Sequence, residues 1–207
     1  MSDTPADTPA PLEHPKSAPA DRAENGPLDE SEANAVRPYV DLGGVKILPR
    51  PDLRVRLEVE EGSKRVVAVS LDYLESSLQV QAFAAPRNSG LWQEIRGQIV
   101  EQIARQGGST SEVTGVFGPE LRGELPAPAG APGGTRVVRF IGVDGPRWFL
   151  RGLISGRAAT DPAVGAQLED LFRSVVVVRG SSPMPPRDLI PLHVPPAAQA
   201  SAPTQSV

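Results

Sequence analysis

The sequence predicts an α+β domain in which a largely antiparallel sheet is covered by two helices. Several segments alternate apolar and polar residues with the period of a strand, and two segments repeat apolar residues with the period of a helix. All nine aromatic residues lie between Tyr39 and Phe172, so the apolar core belongs to the middle of the chain. The order of the segments is strands, helix, strands, helix, which indicates an α+β class.

The composition divides the chain into a single domain at residues 36–179 and two proline-rich ends. Residues 1–35 hold eight acidic and two basic side chains. The central part holds 16 acidic and 18 basic side chains, and residues 180–207 hold one of each. Proline-rich segments without aromatic residues bury too little apolar surface to fold, so we predict two disordered tails. Within the first tail, residues 26–32 are either a segment that docks on the domain or plain linker, since Leu28 is isolated among charges.

The first half of the domain contains strand patterns followed by one helix. Residues 53–60 alternate apolar and charged side chains, which is typical of a strand with one buried and one solvated face. The other strand patterns are at residues 39–42, 45–48, 65–71 and 78–84. Apolar residues then repeat every four positions from 91 to 103, which predicts an amphipathic helix. We expect Asn88 or Ser89 to cap its start and glycines 107 and 108 to end it.

The second half contains an apolar hairpin. Short strand patterns at residues 111–117 and 121–125 and a proline- and glycine-rich loop at 126–134 precede it. Residues 136–143 and 147–155 are apolar strands around a turn at 144–146. Both faces of this hairpin are apolar, so we place it at the centre of the sheet.

The last helix has a clear start signal. Asp161 can cap it, with Pro162 in its first turn, and its apolar side holds Leu168, Leu171 and Phe172. Residues 175–178 carry a short strand pattern.

The amino-acid content restricts the chemistry of the domain. The chain has no cysteine, and its two histidines, His14 and His193, lie in the predicted tails. Disulfide frameworks, thiolate zinc sites and Cys-His or Ser-His catalysis are therefore nearly excluded. The sequence also lacks a Walker-type phosphate loop, a dinucleotide fingerprint and a nucleophile elbow. We assign no catalytic residue, no cofactor and no metal ligand, and we favour a protein that is not an enzyme.

Charge and hydropathy indicate the location. A central excess of two positive charges is too small for nucleic-acid binding, which requires a strongly basic surface. No apolar run approaches the roughly 20 residues that span a bilayer, and the N-terminus lacks the pattern of a signal peptide. We therefore expect a cytoplasmic protein without a membrane span.

Three arginines set into the apolar hairpin are the candidate binding residues. Arg139, Arg147 and Arg151 can present guanidinium groups to a phosphate or carboxylate ligand, or to an acidic partner. Alternatively, each pairs with a carboxylate of the domain or lies along the sheet with its head in water. The predicted register favours the second interpretation, because it sends Arg139 and Arg151 to opposite faces; a shift of one residue would bring them together.

Two sequence motifs resemble an uncharacterised actinobacterial family of domains of unknown function. They are QAFAAPR at residues 81–87 and GVDGPRWFLRG at residues 142–152, and the segments at 26–29 and 39–43 belong to the same resemblance. It extends over roughly residues 26–195 and implies no catalytic residue, cofactor or substrate. It does imply that residues 26–32 work with the domain. The order of elements also resembles a PsbP-like sandwich, a topological likeness that carries no function.

These observations predict a non-catalytic binding or adaptor domain whose partner is another protein. The alternative is a small-molecule or nucleotide-binding protein, with or without enzymatic activity, that has an arginine-lined pocket between the central hairpin and a helix.

Overall fold

The computed structural model of the chain describes residues 14–127 and 134–195, and it has the predicted α+β architecture. In chain order, the strands of the described ranges are β1 Leu28–Asp29, β2 Val40–Asp41, β3 Val45–Ile47, β4 Arg54–Val59, β5 Val66–Tyr73, β6 Ser76–Ala84, β7 Ser109–Gly115, β8 Gly118–Pro126, β9 Thr135–Asp144, β10 Trp148–Gly156 and β11 Val176–Val177. The helices are α1 Arg22–Asn25, α2 Trp92–Arg105 and α3 Pro162–Arg173. Each predicted strand segment contains a strand, and β1 is an addition to the prediction.

Seven strands form an antiparallel sheet in the order β4-β5-β6-β10-β9-β8-β7. It consists of two meanders, β4 to β6 and β7 to β10, which join where β10 pairs with β6 from Trp148 opposite Ala84 to Gly156 opposite Ser76. The hairpin of β9 and β10 therefore lies in the middle of the sheet, as predicted. The remaining strands form a second, smaller sheet in the order β1-β11-β3-β2. Pro49 and Pro51 follow β3 and separate it from β4, because proline interrupts a hydrogen-bonded ladder.

Each face of the large sheet buries its own apolar core. Ile141, Val143 and Leu150 face the smaller sheet and α3. Val138 and Phe149 face the opposite way, toward α2. The apolar character of both faces of the central hairpin is thus explained, since one long helix lies on each side.

The start of α3 is the one that the sequence predicts. The Asp161 carboxylate accepts hydrogen bonds from the backbone N–H groups of Ala163 and Val164, at 3.0 and 3.3 Å, and Pro162 occupies the first turn. The first four backbone N–H groups of an α-helix lack partners within it, so this contact fixes where α3 begins.

The start of α2 differs from the prediction. Neither Asn88 nor Ser89 caps this helix; the carboxylate of Asp144, at the end of β9, accepts from the backbone N–H of Leu91 at 2.8 Å. The backbone of Ser17 donates to the same carboxylate at 2.9 Å. A negative charge is favourable at the positive end of the helix dipole. The cap comes from 53 residues away, so local spacing could not reveal it.

The alternating segment at residues 53–60 forms an edge strand, and its apolar side is less buried than predicted. Leu53 and Leu57 pack against the core, whereas Val55 and Val59 are 39% and 51% exposed. The reason is position: β4 is the last strand of the sheet and has a neighbour on one side only.

The segment at residues 26–32 docks on the smaller sheet. Of the two alternatives that the sequence leaves, a docking segment and a plain linker, the structure shows the first. The backbone N–H groups of Leu28 and Glu30 donate to the carbonyls of Val175 and Val177, each at 3.0 Å. The Trp148 indole donates to the Asp29 carboxylate at 2.9 Å.

Residues 183–195 also pack on the domain, although their composition predicts a tail. The backbone N–H of Ile190 donates to the Ala82 carbonyl and that of His193 to the Leu42 carbonyl, each at 2.9 Å. Ile190 is only 4% exposed. Composition misses such a segment because one apolar side chain and a few backbone hydrogen bonds are enough to hold it. The remaining tail residues, 1–13 and 196–207, and most of the loop predicted at 126–134 lie outside the described residues.

Docking of the N-terminal segment predicts a pH dependence of stability. Burial opposes ionisation of Asp29, but hydrogen bonds from Ser31 and Trp148 outweigh it and lower the pKa of this carboxyl. A lowered folded-state pKa stabilises the fold above the unfolded pKa, about 3.9, and this contribution is lost as the pH falls through the folded value. We expect Asp29→Asn to unfold at lower urea concentration than the wild type at pH 7, and the difference to shrink in acid. A difference that is the same at both pH values would contradict this role.

Within the described ranges, no helix combines the length and the apolar character needed to cross a bilayer.

Candidate functional site

A pocket of about 240 Å³ lies between α2 and the central strands of the large sheet, on the face opposite α3. Its apolar lining consists of Ile99, Ile103, Leu125, Val138, Phe140 and Leu153. Its polar lining consists of Gln102, Gln106, Arg136, Arg151 and Ser155. The lining is about equally apolar and polar, and a concave surface that combines apolar side chains with polar groups can hold a small molecule.

The lining of this pocket follows from the two-residue period of a strand and the turn of an α-helix. Alternate residues of a strand share a face, so Arg151, Leu153 and Ser155 of β10 all point to the side of α2. Leu153 pairs with Phe140 of β9 and Ser155 with Val138, which completes the floor. On the helix, Ile99 and Ile103 are buried one turn apart and form the wall above it.

Arg151 is the charged group of this pocket, and it has no carboxylate partner among the described residues. Its guanidinium donates to the side-chain carbonyl of Gln81 and lies 5.8 Å from the centre of the Phe83 ring. Burial lowers the pKa of the Arg151 guanidinium, and no neighbouring acid opposes the shift. Arginine nevertheless stays charged. The site therefore holds a partly desolvated cation that pairs with no carboxylate of the described residues.

Arg139 lies on the other face of the sheet and is fully engaged. It is 6% exposed, and its guanidinium donates to Glu120 at 2.9 and 3.2 Å and to Glu169 at 2.5 Å. Arg139 opposes Ile154 in the β9–β10 ladder and Arg151 opposes Gly142, so the two arginines point in opposite directions, as the predicted register requires. For Arg139 the structure shows the alternative interpretation, in which the arginine pairs with carboxylates of its own domain.

Arg147 lies apart from both Arg139 and Arg151. It precedes β10, and its guanidinium donates to the backbone carbonyl of Gly180 at 3.0 Å. It does not line the pocket that contains Arg151. The three predicted residues thus do not form one site. Arg151 lines the pocket beside α2, whereas Arg139 lines a second cavity of about 250 Å³ beside the start of α3, on the other face of the sheet. A binding role for Arg139 and Arg147 stays a prediction.

Sequence reasoning did not identify Gln81 and Phe83, which position Arg151, or the helical wall. Gln81 and Phe83 are two apart on β6 and so share a face, which is a signal that the sequence does contain. The sequence does not show that β6 pairs with β10. This pairing sets Arg151 opposite Gln81, which is 70 residues earlier in the chain.

The described residues contain no cluster of three or more histidine, aspartate or glutamate side chains that could hold a metal ion.

A family model described as "Protein of unknown function (DUF3710)" matches residues 26–201. The matched part starts at the docking segment and includes both long helices, both sheets and every residue of the pocket. No curated protein matches the chain.

Proposed function

The chain belongs to DUF3710, a family of proteins of unknown function, and from this premise we propose that it is a non-catalytic domain that binds small anions with an apolar body. The observation that carries the proposal is Arg151, a partly buried cation without a carboxylate partner among the described residues, in a pocket whose other lining residues are apolar or polar. The function is the small-molecule alternative of the sequence analysis, without its enzymatic part.

The energetics of burial support this function. A charge removed from water is costly unless an opposite charge or hydrogen bonds compensate it. The Gln81 amide and the Phe83 ring compensate part of the charge of Arg151. A bound carboxylate or phosphate would supply the missing negative charge through charge-assisted hydrogen bonds, which are worth about 1.5–3 kcal/mol each.

Binding is tested by isothermal titration of the full chain with octanoate, phenylacetate and phenyl phosphate, and with neutral 1-octanol as the comparison. We expect at least one of the anions to bind, and Arg151→Met to weaken its affinity by roughly ten- to a hundredfold, since it removes a charged hydrogen-bond donor. The variant should unfold at the same or a higher temperature than the wild type, because methionine keeps the aliphatic stem and removes a desolvated charge.

The matched control is Arg147→Met, which removes an arginine outside the pocket and should leave the affinity unchanged. If none of the anions binds, or if Arg151→Met binds as well as the wild type, the proposal is wrong.

An adaptor role with a protein partner is the second candidate, and the edge strand β4 favours it. Exposed valines on an edge strand are suited to pairing with an extended segment of another protein, and Val55 and Val59 are such residues. Strand β4 is three strands away from β10. Arg151→Met therefore separates the two candidates, since it should weaken anion binding and leave association through β4 intact. The cytoplasmic location and the actinobacterial origin stay predictions.

A further inference from the structure

We infer that the ligand of this pocket is an unbranched aliphatic carboxylate, held with its carboxylate at Arg151 and its chain between α2 and β10. This inference rests on the proposed function and narrows it to one chemical class.

The shape of the pocket restricts the ligand. Arg151, Leu153 and Ser155 are successive residues on one face of β10, and at about 3.4 Å per residue they span roughly 13 Å. The lining of α2 runs from Ile99 to Gln106, which is roughly 10 Å at about 1.5 Å per residue. The floor is longer than a compact space of about 240 Å³ is wide, so the pocket is elongated along β10 and forms a channel.

The position of Arg151 in the channel also restricts the ligand. Arg151 is at one end of the channel, and the residues that follow it on the floor, Leu153 and its partner Phe140, are apolar. A ligand that satisfies the guanidinium must continue into apolar surroundings. The far end is lined by Arg136, which is exposed, so the channel opens to solvent there. This order, charged, then apolar, then open, fits a carboxylate at the head of a hydrocarbon chain.

The chemistry of the walls restricts the ligand further. Ile99, Ile103, Val138 and Leu153 are aliphatic, and Phe140 is the aromatic residue of the described lining. Proteins bind nucleobases by stacking them on aromatic side chains, and a pocket for a drug-sized ligand has about 300–1,000 Å³. The channel is smaller than that range, and its apolar lining is aliphatic except for Phe140, which favours an alkyl chain over a nucleotide.

The inference is tested with a series of straight-chain carboxylates, hexanoate, octanoate, decanoate and dodecanoate, below their micellar concentrations. Each buried methylene group contributes about 0.8 kcal/mol, so we expect the dissociation constant to fall about fourfold per methylene. The gain should end once the chain reaches solvent beside Arg136. Leu153→Ala should reduce the gain per methylene and Arg147→Met should leave it unchanged.

Two results would overturn the inference while leaving the proposed function intact. One is that phenylacetate or phenyl phosphate binds more tightly than every member of the series, and the other is an affinity that does not change with chain length although Arg151→Met abolishes it. Failure of all these anions to bind would overturn the inference together with the proposed function.

Discussion

Replacing Arg139 by methionine should lower the free energy of unfolding by about 3–5 kcal/mol, the range observed when one partner of a buried ion pair is removed. The arginine is held between Glu120 and Glu169 and is the shared donor to both carboxylates. Glu120 is only 2% exposed. Without the guanidinium, two negative charges would face each other in a poorly solvated space. Urea unfolding at pH 7 measures the loss.

The effect should depend on which arginine is removed and on the charge of its partners. Arg122 also approaches Glu120, at 3.8 Å, but about half of its side chain is exposed, so Arg122→Met should cost at most about 1 kcal/mol. Adding Glu120→Gln to Arg139→Met should recover part of the loss, because it removes one of the unpaired charges. A loss below 1 kcal/mol in Arg139→Met would show that the buried pairing contributes little.

Truncating Ile190 to alanine should lower the free energy of unfolding by about 2–5 kcal/mol, as for other buried isoleucines. Its side chain is 4% exposed and belongs to the core that Ile141 and Phe172 also form. The substitution leaves the hydrogen bond from its backbone N–H to Ala82 in place, so the measurement isolates the side chain.

Val116→Ala is the control for this truncation. Val116 is 51% exposed, and the change should stay within about 0.5 kcal/mol. If Ile190→Ala is as mild as this control in urea unfolding, residues 183–195 do not pack on the domain in solution.

The elements that follow a local period could be predicted from the sequence. The central hairpin has the predicted place because both of its faces are apolar, and α3 begins as predicted because Asp161 caps it and Pro162 is its first residue. The cap of α2 could not be predicted, because Asp144 reaches the helix through the fold. The same is true of Ile190, which composition assigns to a tail although it belongs to the core.

The candidate site was predictable only in part. A strand period places Arg139 and Arg151 on opposite faces, and this was sufficient to separate them. The strand period does not show which of the two arginines pairs with carboxylates. Glu120 and Glu169 come from β8 and α3, and their meeting at Arg139 depends on how α3 crosses the sheet. The consequence is that Arg139 pairs with two carboxylates and Arg151 with none of the described ones, and this difference is a property of the tertiary structure.

The contacts of residues 183–195 also affect how the protein can be made. Ile190 and His193 bond to residues 82 and 42, so these contacts close loops of more than a hundred residues. Contacts so distant in sequence slow folding, because much chain entropy is lost before they form. During synthesis, the strands from β2 to β6 leave the ribosome long before their partners in this segment. The part of the core that Ile190 covers therefore stays open in the nascent chain until this segment has left the ribosome, and exposed apolar surface of this kind promotes aggregation.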